Sequence, residues 1–110
     1  MQELIKYKGF QVAPAELEDV LISLPEVLDA CVIPVPNEEA GEHARAYVVL
    51  RPEFKDKVSE KQIADRLAAL VAHHKKLYGG CVFVDKIPKT ESGKLLRRMV
   101  IDMDRKRSQQ

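Results

Sequence analysis

At 110 residues, the chain has room for one domain with one modest core and is too short for a typical two-substrate enzyme. Hydrophobic residues make up 45% of the sequence and charged residues 32%, which is typical of a globular domain and argues against a disordered or membrane-embedded chain. The net charge of +1 argues against a general nucleic-acid-binding protein, because such proteins are strongly basic. No apolar run reaches the length of a membrane span, and no signal-peptide segment follows Met1.

Neither the cysteines nor the histidines form a pattern typical of a metal site. Cys31 and Cys81 lie inside apolar runs, far from a Cys-x-x-Cys spacing, so we expect buried free thiols in a reducing compartment. His73 and His74 are neighbours, which on a helix point about 100° apart and cannot share one metal ion. With His43 far along the chain and no carboxylate at ligand spacing, the sequence predicts no metal site.

The first half of the chain predicts a hairpin, a helix and two strands. The alternation of Leu4, Lys6 and Lys8 with Ile5 and Tyr7 indicates a short strand. Gly9 indicates the turn into a second short strand. Pro14 is well placed for the first position of a helix. The apolar face of this helix is predicted to be Leu17, Val20, Leu21 and Leu24. The apolar, partly β-branched runs Val27–Val35 and Ala44–Leu50 predict two strands joined by an acidic loop.

The second half predicts a helix, a strand and a further helix. Ser59 and Gln62 form a capping-box pair, which begins a helix that we expect to run on until Gly79 and Gly80 end it. The predicted apolar face of this helix is Ile63, Leu67, Leu70, Val71 and His74. A strand over Cys81–Val84 precedes the last helix, which is expected to begin at Leu95. The predicted buried side of the last helix is Leu95, Leu96, Met99 and Met103.

Together these elements predict a small α+β domain over residues 1–110, with an N-terminal β-hairpin plus a three-stranded sheet covered by helices. The basic excess of the C-terminal segment is expected to solvate an exposed helix face, the alternative being that it helps to attract a polyanionic ligand. The basic residues of this segment are Lys89, Lys94, Arg97, Arg98, Arg105, Lys106 and Arg107. The polar tail from Arg105 to Gln110 is expected to fray. A domain of this kind should fold alone as a monomer.

The stretch 87–98 carries most of the chemical signal. A proline and Gly93 bracket a turn, and Lys94 is predicted at or near the first turn of the last helix. A cation is unfavourable at that end of a helix, because free N–H groups and the macrodipole are electropositive there, unless an anion shares the site. With Lys89, the hydroxyls of Thr90 and Ser92 and the backbone donors of the turn, this stretch is interpreted as a site for phosphate or carboxylate.

The turn at 87–98 is not a P-loop. Pro88 stands where the first glycine of that motif is needed, and Leu95 stands where Ser or Thr would bind magnesium. The alternative interpretation of Lys94 from this stretch alone is a solvated lysine on a polar turn.

Two separated stretches then indicate a family. The sequence IKYKGFQVAPAELE at 5–18 and PKTESGK at 88–94 resemble the C-terminal domain of the adenylate-forming superfamily, which includes 4-coumarate–CoA ligases, beetle luciferases and other acyl-CoA synthetases. The glycine pair before the strand at 81–84 fits the same pattern, so the resemblance covers nearly the whole chain.

The resemblance implies a role within a larger enzyme. Enzymes of this superfamily activate a carboxylic acid with ATP to an acyl-adenylate and usually transfer the acyl group to coenzyme A. A large N-terminal adenylation domain binds ATP, Mg2+ and the acid, and none of its motifs stands in this chain. The C-terminal domain is a mobile lid with two poses, and this chain is expected to be such a lid, inactive by itself.

The resemblance also assigns roles to residues at the two ends of the chain. Lys94 matches the lysine that reaches the forming adenylate in the first pose. Lys6 and Gln11 match residues with roles in the second half-reaction and in handling the adenylate. The residues implied in the coenzyme A channel are Lys8, Gly9 and Phe10.

Three questions of context stay open at this stage. Because Met1 falls in mid-pattern and the family's hinge residue would lie just before it, we expect a domain cut from a longer enzyme at the hinge. The alternatives are a free-standing module that binds a nucleotide or partner in trans, the lid of a luciferase-like monooxygenase, and a structural or interaction domain whose lysines are only solvated. A cytoplasmic location is expected, with peroxisomal or mitochondrial location possible for the parent, although the chain ends Ser-Gln-Gln and not Ser-Lys-Leu.

Overall fold

The computed structural model describes residues 4–108, which form five strands and three α-helices. In chain order these are β1 (Ile5–Tyr7), β2 (Phe10–Val12), α1 (Pro14–Ile22), β3 (Val27–Asn37), β4 (Gly41–Leu50), α2 (Glu60–Ala68), β5 (Cys81–Phe83) and α3 (Arg97–Ser108). Short 3-10 turns lie at Pro52–Phe54 and His73–Lys75. The predicted α+β class is confirmed. The predictions for Met1 and for the last two residues of the tail concern residues outside the described ones, which exclude 1–3, 109 and 110.

One mixed sheet unites the N-terminal hairpin with the other strands. Strands β3 and β4 pair antiparallel along their whole length, from Val27 opposite Leu50 to Asn37 opposite Gly41. Strand β1 joins β4 antiparallel at Gly41, and β5 joins β4 parallel over residues 46–48. Because β3 occupies one edge of β4, β1 and β5 share the other edge, so the hairpin is part of the sheet.

The sheet carries a hydrophobic cluster on each face. Successive residues of β3 and β4 point to opposite faces, so Val32 belongs to one cluster and Ile33 to the other. Helices α1 and α2 cover the first face with fully buried Leu17, Leu21, Ile63 and Leu67. Helix α3 covers the second face with Val100 and Ile101.

Helix α2 begins as predicted and ends earlier. The backbone N–H of Gln62 donates to Ser59 Oγ at 3.1 Å, and the N–H of Ser59 donates to Gln62 Oε1 at 2.7 Å, which confirms the capping box. The helix ends at Ala68. Ala72, which has an extended backbone (φ −64°, ψ 155°), lies between the helix and the 3-10 turn. Leu70, predicted to be buried, is therefore 61% exposed.

Helix α3 differs from its prediction at both ends and in its buried face. It begins at Arg97, so Leu95 and Leu96 lie in the half-buried chain before it, and it continues to Ser108 without fraying. Its buried residues are Val100, Ile101 and Asp104. The predicted Met99 and Met103 are 50% and 43% exposed. The prediction was wrong because it counted methionines as core and missed a buried, hydrogen-bonded aspartate.

Candidate functional site

The turn between β1 and β2 places two predicted site residues side by side. Lys6 pairs with Gln11 in the antiparallel register, and directly opposite residues project on the same face. The turn uses left-handed backbone at Lys8 (φ 47°) and Gly9 (φ 86°), which glycine adopts at no steric cost. The backbone N–H of Lys6 donates to Glu42 Oε1 at 2.9 Å, which holds the hairpin against the start of β4.

The tip of this hairpin presents aromatic surface. Phe10 is 51% exposed and stacks on the ring of His74, with centroids 4.1 Å apart. Tyr7 stacks on Tyr78 at 4.8 Å, and Lys8 Nζ lies 5.5 Å from the centre of the Tyr7 ring. The positions predicted for coenzyme A, at 8–10, therefore form an exposed tip backed by ordered rings.

The His43 ring also lies beside the stacked rings of Tyr7 and Tyr78. The sequence interpretation did not predict this contact. The His43 ring lies 5.8 Å from that of Tyr78, and the ring of His73 lies 5.9 Å from the same tyrosine. Within residues 4–108, however, no group of three or more His, Cys, Asp or Glu side chains is placed to hold a metal ion.

Lys6 and Gln11 line a cavity of about 480 Å³ between the hairpin and α3. Charged residues from β4 and α3 complete its wall, and four apolar residues form the rest of it. The full lining is Leu4, Lys6, Gln11, Pro34, Pro36, Glu42, Arg98, Ile101, Asp104 and Arg105. Lys94 does not line this cavity, so the structure does not bring the two predicted lysines to one site.

Lys94 lies on a tight turn that precedes α3. Its backbone N–H donates to Thr90 Oγ1 at 3.0 Å, and its carbonyl accepts from the N–H of Thr90 at 2.8 Å. Gly93 supplies the left-handed residue (φ 90°) that closes the turn. The Lys94 side chain is exposed and makes no ion pair with any described residue.

Two features of the predicted anion site at this turn are wrong. Helix α3 begins at Arg97, three residues after Lys94, so the lysine is outside the first helical turn and the macrodipole argument does not apply. The Thr90 hydroxyl is already bonded to the amide of Lys94 and lies 3.0 Å from Ser92 Oγ, so it shapes the turn. What remains is an exposed ammonium on a preformed loop.

The base of the turn is fixed to the sheet and to α1. Lys89 Nζ pairs with Asp29 Oδ2 at 2.7 Å. Arg97 Nη2 lies 2.8 Å from both carboxylate oxygens of Glu18, and Arg97 Nε donates to the carbonyl of Val32 at 3.1 Å. Glu18 also accepts the N–H of Val32 at 2.8 Å. Arg97, which the sequence assigned to a solvated face, is therefore a structural anchor.

A second anchor holds the other end of α3. Asp104 is buried and accepts from Arg45 Nη1 at 2.7 Å and from the Tyr47 hydroxyl at 2.6 Å. Burial is the larger cause and the hydrogen bond to Asp104 the next, and together they raise the pKa of Tyr47 to about 12. Arg45 Nε also donates to the carbonyl of Gly79 at 2.7 Å, so one network joins α3, β4 and the segment before β5.

The two cysteines take no part in either surface. Both are buried and free, as predicted. Burial raises the pKa of Cys31 and of Cys81 to about 12, with the nearby carboxylates Glu18 and Glu60 acting in the same direction. Because only the thiolate is nucleophilic, neither thiol is a candidate for catalysis at neutral pH.

Comparison with known proteins gives one consistent answer. Residues 16–94 match the model of the AMP-binding enzyme C-terminal domain. The chain is 53% identical over 102 residues to 4-coumarate–CoA ligase-like 1 of Arabidopsis thaliana, covering 93% of this chain and 18% of that protein. It is 49% identical over 100 residues to luciferin 4-monooxygenase of Photinus pyralis, covering 91% and 18%.

The solved structures agree with the sequences. A fatty acyl-CoA synthetase of Mycobacterium tuberculosis superposes with a TM-score of 0.82 at 34% identity, over 92% of this chain and 19% of that one. The chain thus spans about a fifth of the length of these relatives. Across residues 4–108, no helix is both long and apolar enough to cross a membrane. The chain belongs to the family of AMP-binding enzyme C-terminal domains, within the adenylate-forming superfamily of acyl-CoA synthetases, 4-coumarate–CoA ligases and luciferases.

Proposed function

We propose that this chain is the C-terminal lid of an ATP-dependent acid–CoA ligase, whose parent converts a carboxylic acid to its adenylate and then to its CoA thioester. One observation carries the proposal: the two lysines implied in the two half-reactions lie on separate elements, Lys6 on β1 and Lys94 on the turn before α3, and of the two only Lys6 lines the cavity beside the hairpin. A static domain has no evident use for both lysines at one reaction centre. A lid that presents first one of these elements and then the other to the reaction centre uses both lysines.

Lys94 is proposed to act in the first half-reaction. Its turn is closed by three hydrogen bonds, from Thr90 to Lys94, from Lys94 to Thr90 Oγ1 and from Gly93 to Thr90. The backbone of the turn is thus fixed while the ammonium stays exposed. A charge held ready in this way stabilises the negative charge that develops on the phosphoryl group in the transition state.

The hairpin is proposed to act in the second half-reaction. Lys6 and Gln11 share one face and can bind the adenylate by charge and by hydrogen bonding. Lys8, Gly9 and Phe10 form the exposed tip and are proposed to line the channel for the pantetheine arm of coenzyme A. At Gly9 a Cβ atom would meet no other atom within 4 Å, so it is the backbone conformation that requires glycine there.

The remaining machinery is assigned to a partner domain. Among residues 4–108, no group of three or more His, Cys, Asp or Glu side chains is placed to hold a metal ion, and the resemblance implies that an N-terminal domain binds Mg2+. We therefore assign ATP, Mg2+ and the acid to an N-terminal adenylation domain, in cis in the parent. Positioning both substrates requires that domain, so the chain alone is expected to be a monomer without ATP–pyrophosphate exchange activity.

The likeness to a luciferase defines the second candidate. At 49% identity to luciferin 4-monooxygenase, the chain is nearly as similar to an oxidative enzyme as to the named CoA-ligase-like relative at 53%. The acid-binding pocket and any oxidation chemistry would belong to the N-terminal domain. A third candidate, a free-standing module acting in trans, differs from both in needing no covalently attached adenylation domain.

The test measures the products of the full-length protein that contains this chain, with ATP, Mg2+, coenzyme A and a panel of aromatic and fatty acids. A ligase releases AMP in equal amount with a CoA thioester. Oxygen uptake or light without thioester would favour the luciferase-like candidate. Absence of AMP formation with every acid, from a folded full-length protein, would favour a binding module.

A further inference from the structure

The cavity beside the hairpin holds more positive charge than the resemblance assigned to it. Besides Lys6, its wall includes Arg98 and Arg105 of α3. These two arginines are seven residues apart, which places them two turns apart on one face of the helix, with Ile101 between them. The cavity is therefore flanked by cations from two different elements.

The two acidic groups of the wall both accept hydrogen bonds, but among the described residues only Asp104 is paired with a cation, so the wall keeps three positive charges against the one negative charge of Glu42. Glu42 Oε1 accepts the backbone N–H of Lys6 at 2.9 Å. Asp104 Oδ1 accepts from Arg45 at 2.7 Å and from Tyr47 at 2.6 Å, so its charge is balanced outside the cavity.

The cations of the wall, in contrast, have no such partners. Among the described residues, Lys6, Arg98 and Arg105 form no salt bridge, whereas Arg97, the residue next to Arg98, is fully engaged with Glu18. Three unengaged cations around one cavity favour an anionic ligand.

The rest of the wall defines the body of that ligand. Pro34, Pro36 and Ile101 supply apolar surface, and Gln11 supplies an amide that can donate and accept hydrogen bonds. A volume of about 480 Å³ exceeds the need of a bare phosphate ion and lies in the range of small-molecule sites. Guanidinium groups bind phosphate oxygens in pairs, which suits a phosphate ester better than a lone carboxylate.

We infer that Arg98 and Arg105 complete, with Lys6 and Gln11, a binding site for the phosphate group of a nucleoside phosphate. The identification of the ligand as a nucleoside phosphate rests on the proposed function, whereas the anion site rests on the cavity itself. Both the adenylate and the nucleotide end of coenzyme A carry this chemistry, as an adenosine 5′-phosphate and an adenosine 3′,5′-bisphosphate. Arg98 and Arg105 are then ligand-binding residues that act in the second pose of the lid.

The test titrates the isotopically labelled 110-residue chain with AMP, with adenosine 3′,5′-bisphosphate and with uncharged adenosine, followed by amide NMR. Saturable shifts at Lys6, Gln11 and Ile101 are expected with the phosphorylated probes and not with adenosine. Binding should weaken with added salt, because the attraction is between charges. Tighter binding of AMP would assign the site to the adenylate, and tighter binding of the bisphosphate would assign it to coenzyme A.

Matched variants separate this site from general charge. Arg98→Gln and Arg105→Gln, made singly, should each weaken binding about tenfold, the effect of losing one charge-assisted hydrogen-bonded contact. Lys106→Gln removes an equal charge from α3 outside the cavity and should change affinity less than about twofold. Equal losses in all three variants, shifts centred on Lys94, or no saturable shift with either phosphorylated probe would overturn the inference.

The result of the binding test and the result of the ligase test can differ, so each proposal can fail by itself. A full-length enzyme that forms thioester while the chain ignores both nucleotides would refute the phosphate site and leave the proposed function standing. A chain that binds AMP through Arg98 and Arg105 in a full-length protein that makes no adenylate would refute the function and leave the site standing.

Discussion

The turn at 88–94 and the hairpin at 6–11 each contain a glycine in left-handed conformation and a lysine with a proposed role, yet they present that lysine differently. The turn is closed by its own hydrogen bonds through Thr90, and Lys94 lies outside the cavity wall. The hairpin is part of the sheet, and Lys6 shares a cavity with residues of α3. The first arrangement suits a charge delivered to a site on another domain, and the second suits a site that this domain helps to build.

The largest effect is expected at Lys94. In the full-length enzyme, Lys94→Ala should slow pyrophosphate release by about 100- to 1000-fold, the usual cost of removing one preorganised charge from a transition state. Lys86→Ala provides the control, since Lys86 is exposed on the same segment and forms no ion pair among the described residues. Comparable losses in the two variants would mean that Lys94 acts only through general charge.

The support beneath the turn can be broken without touching either lysine. Glu18→Gln should lower the free energy of unfolding by about 3 kcal/mol, because Arg97 would keep a largely buried charge without its partner. The measurement is urea unfolding of the isolated chain. Glu16→Gln on the same helix is the control, since Glu16 pairs with Lys75 near the surface and should matter by less than about 1 kcal/mol. Equal costs would show that the buried pair is not an anchor.

Lys6→Ala sharpens the comparison from the other side, with a smaller effect. It should slow thioester formation from a supplied acyl-adenylate by roughly tenfold, since Arg98 and Arg105 still hold charge at the cavity. Lys57→Ala, on an exposed loop outside this cavity, is the control. An unchanged rate in the Lys6 variant would remove the hairpin lysine from the second half-reaction.

Alkaline pH should weaken the sheet that both regions share. Burial raises the pKa of the Cys31 and Cys81 thiols from 9.0 to about 12, so the unfolded chain loses these protons at a lower pH than the folded chain. Stability contributed by the protonated thiols is full well below pH 9, begins to fall as the pH approaches 9 and is lost as the pH rises toward 12.

The resulting loss between pH 8 and pH 9 should be about 0.7 kcal/mol for the two thiols together. Urea unfolding at the two pH values measures it, and Cys81→Ala should halve the difference. A free energy of unfolding that stays level up to pH 10 would contradict the assignment of both thiols to the protonated form.

What the sequence predicted correctly was encoded within a few residues. The Ser59–Gln62 capping box and the Gly9 turn depend only on neighbours, and both are confirmed. The end of α2 was predicted wrongly, because the helix ends at Ala68 and the chain becomes extended at Ala72, and no glycine or proline signals either change. Helix α3 was displaced for a related reason: Arg97 and Asp104 are held by partners 79 and 57 residues away. No local pattern can indicate pairs at that separation.

The site residues divide in the same way. The pairing of Lys6 with Gln11 follows from a short hairpin and was accessible to the sequence, whereas the approach of Arg98 and Arg105 to that pair depends on how α3 crosses the sheet. The same holds for His43, which the sequence placed far from His73 and which the fold brings to a shared tyrosine.

The central claim is that Lys94 on its turn and Lys6 on the hairpin serve different half-reactions. The direct measurement takes Lys94→Ala and Lys6→Ala through both assays, pyrophosphate release from ATP and acid, and thioester formation from pre-made adenylate. The ratio of the two losses should differ in direction between the variants, with Lys94→Ala defective mainly in the first assay and Lys6→Ala mainly in the second. Equal losses in both assays for both variants would contradict the account and indicate a static lid with one reaction site.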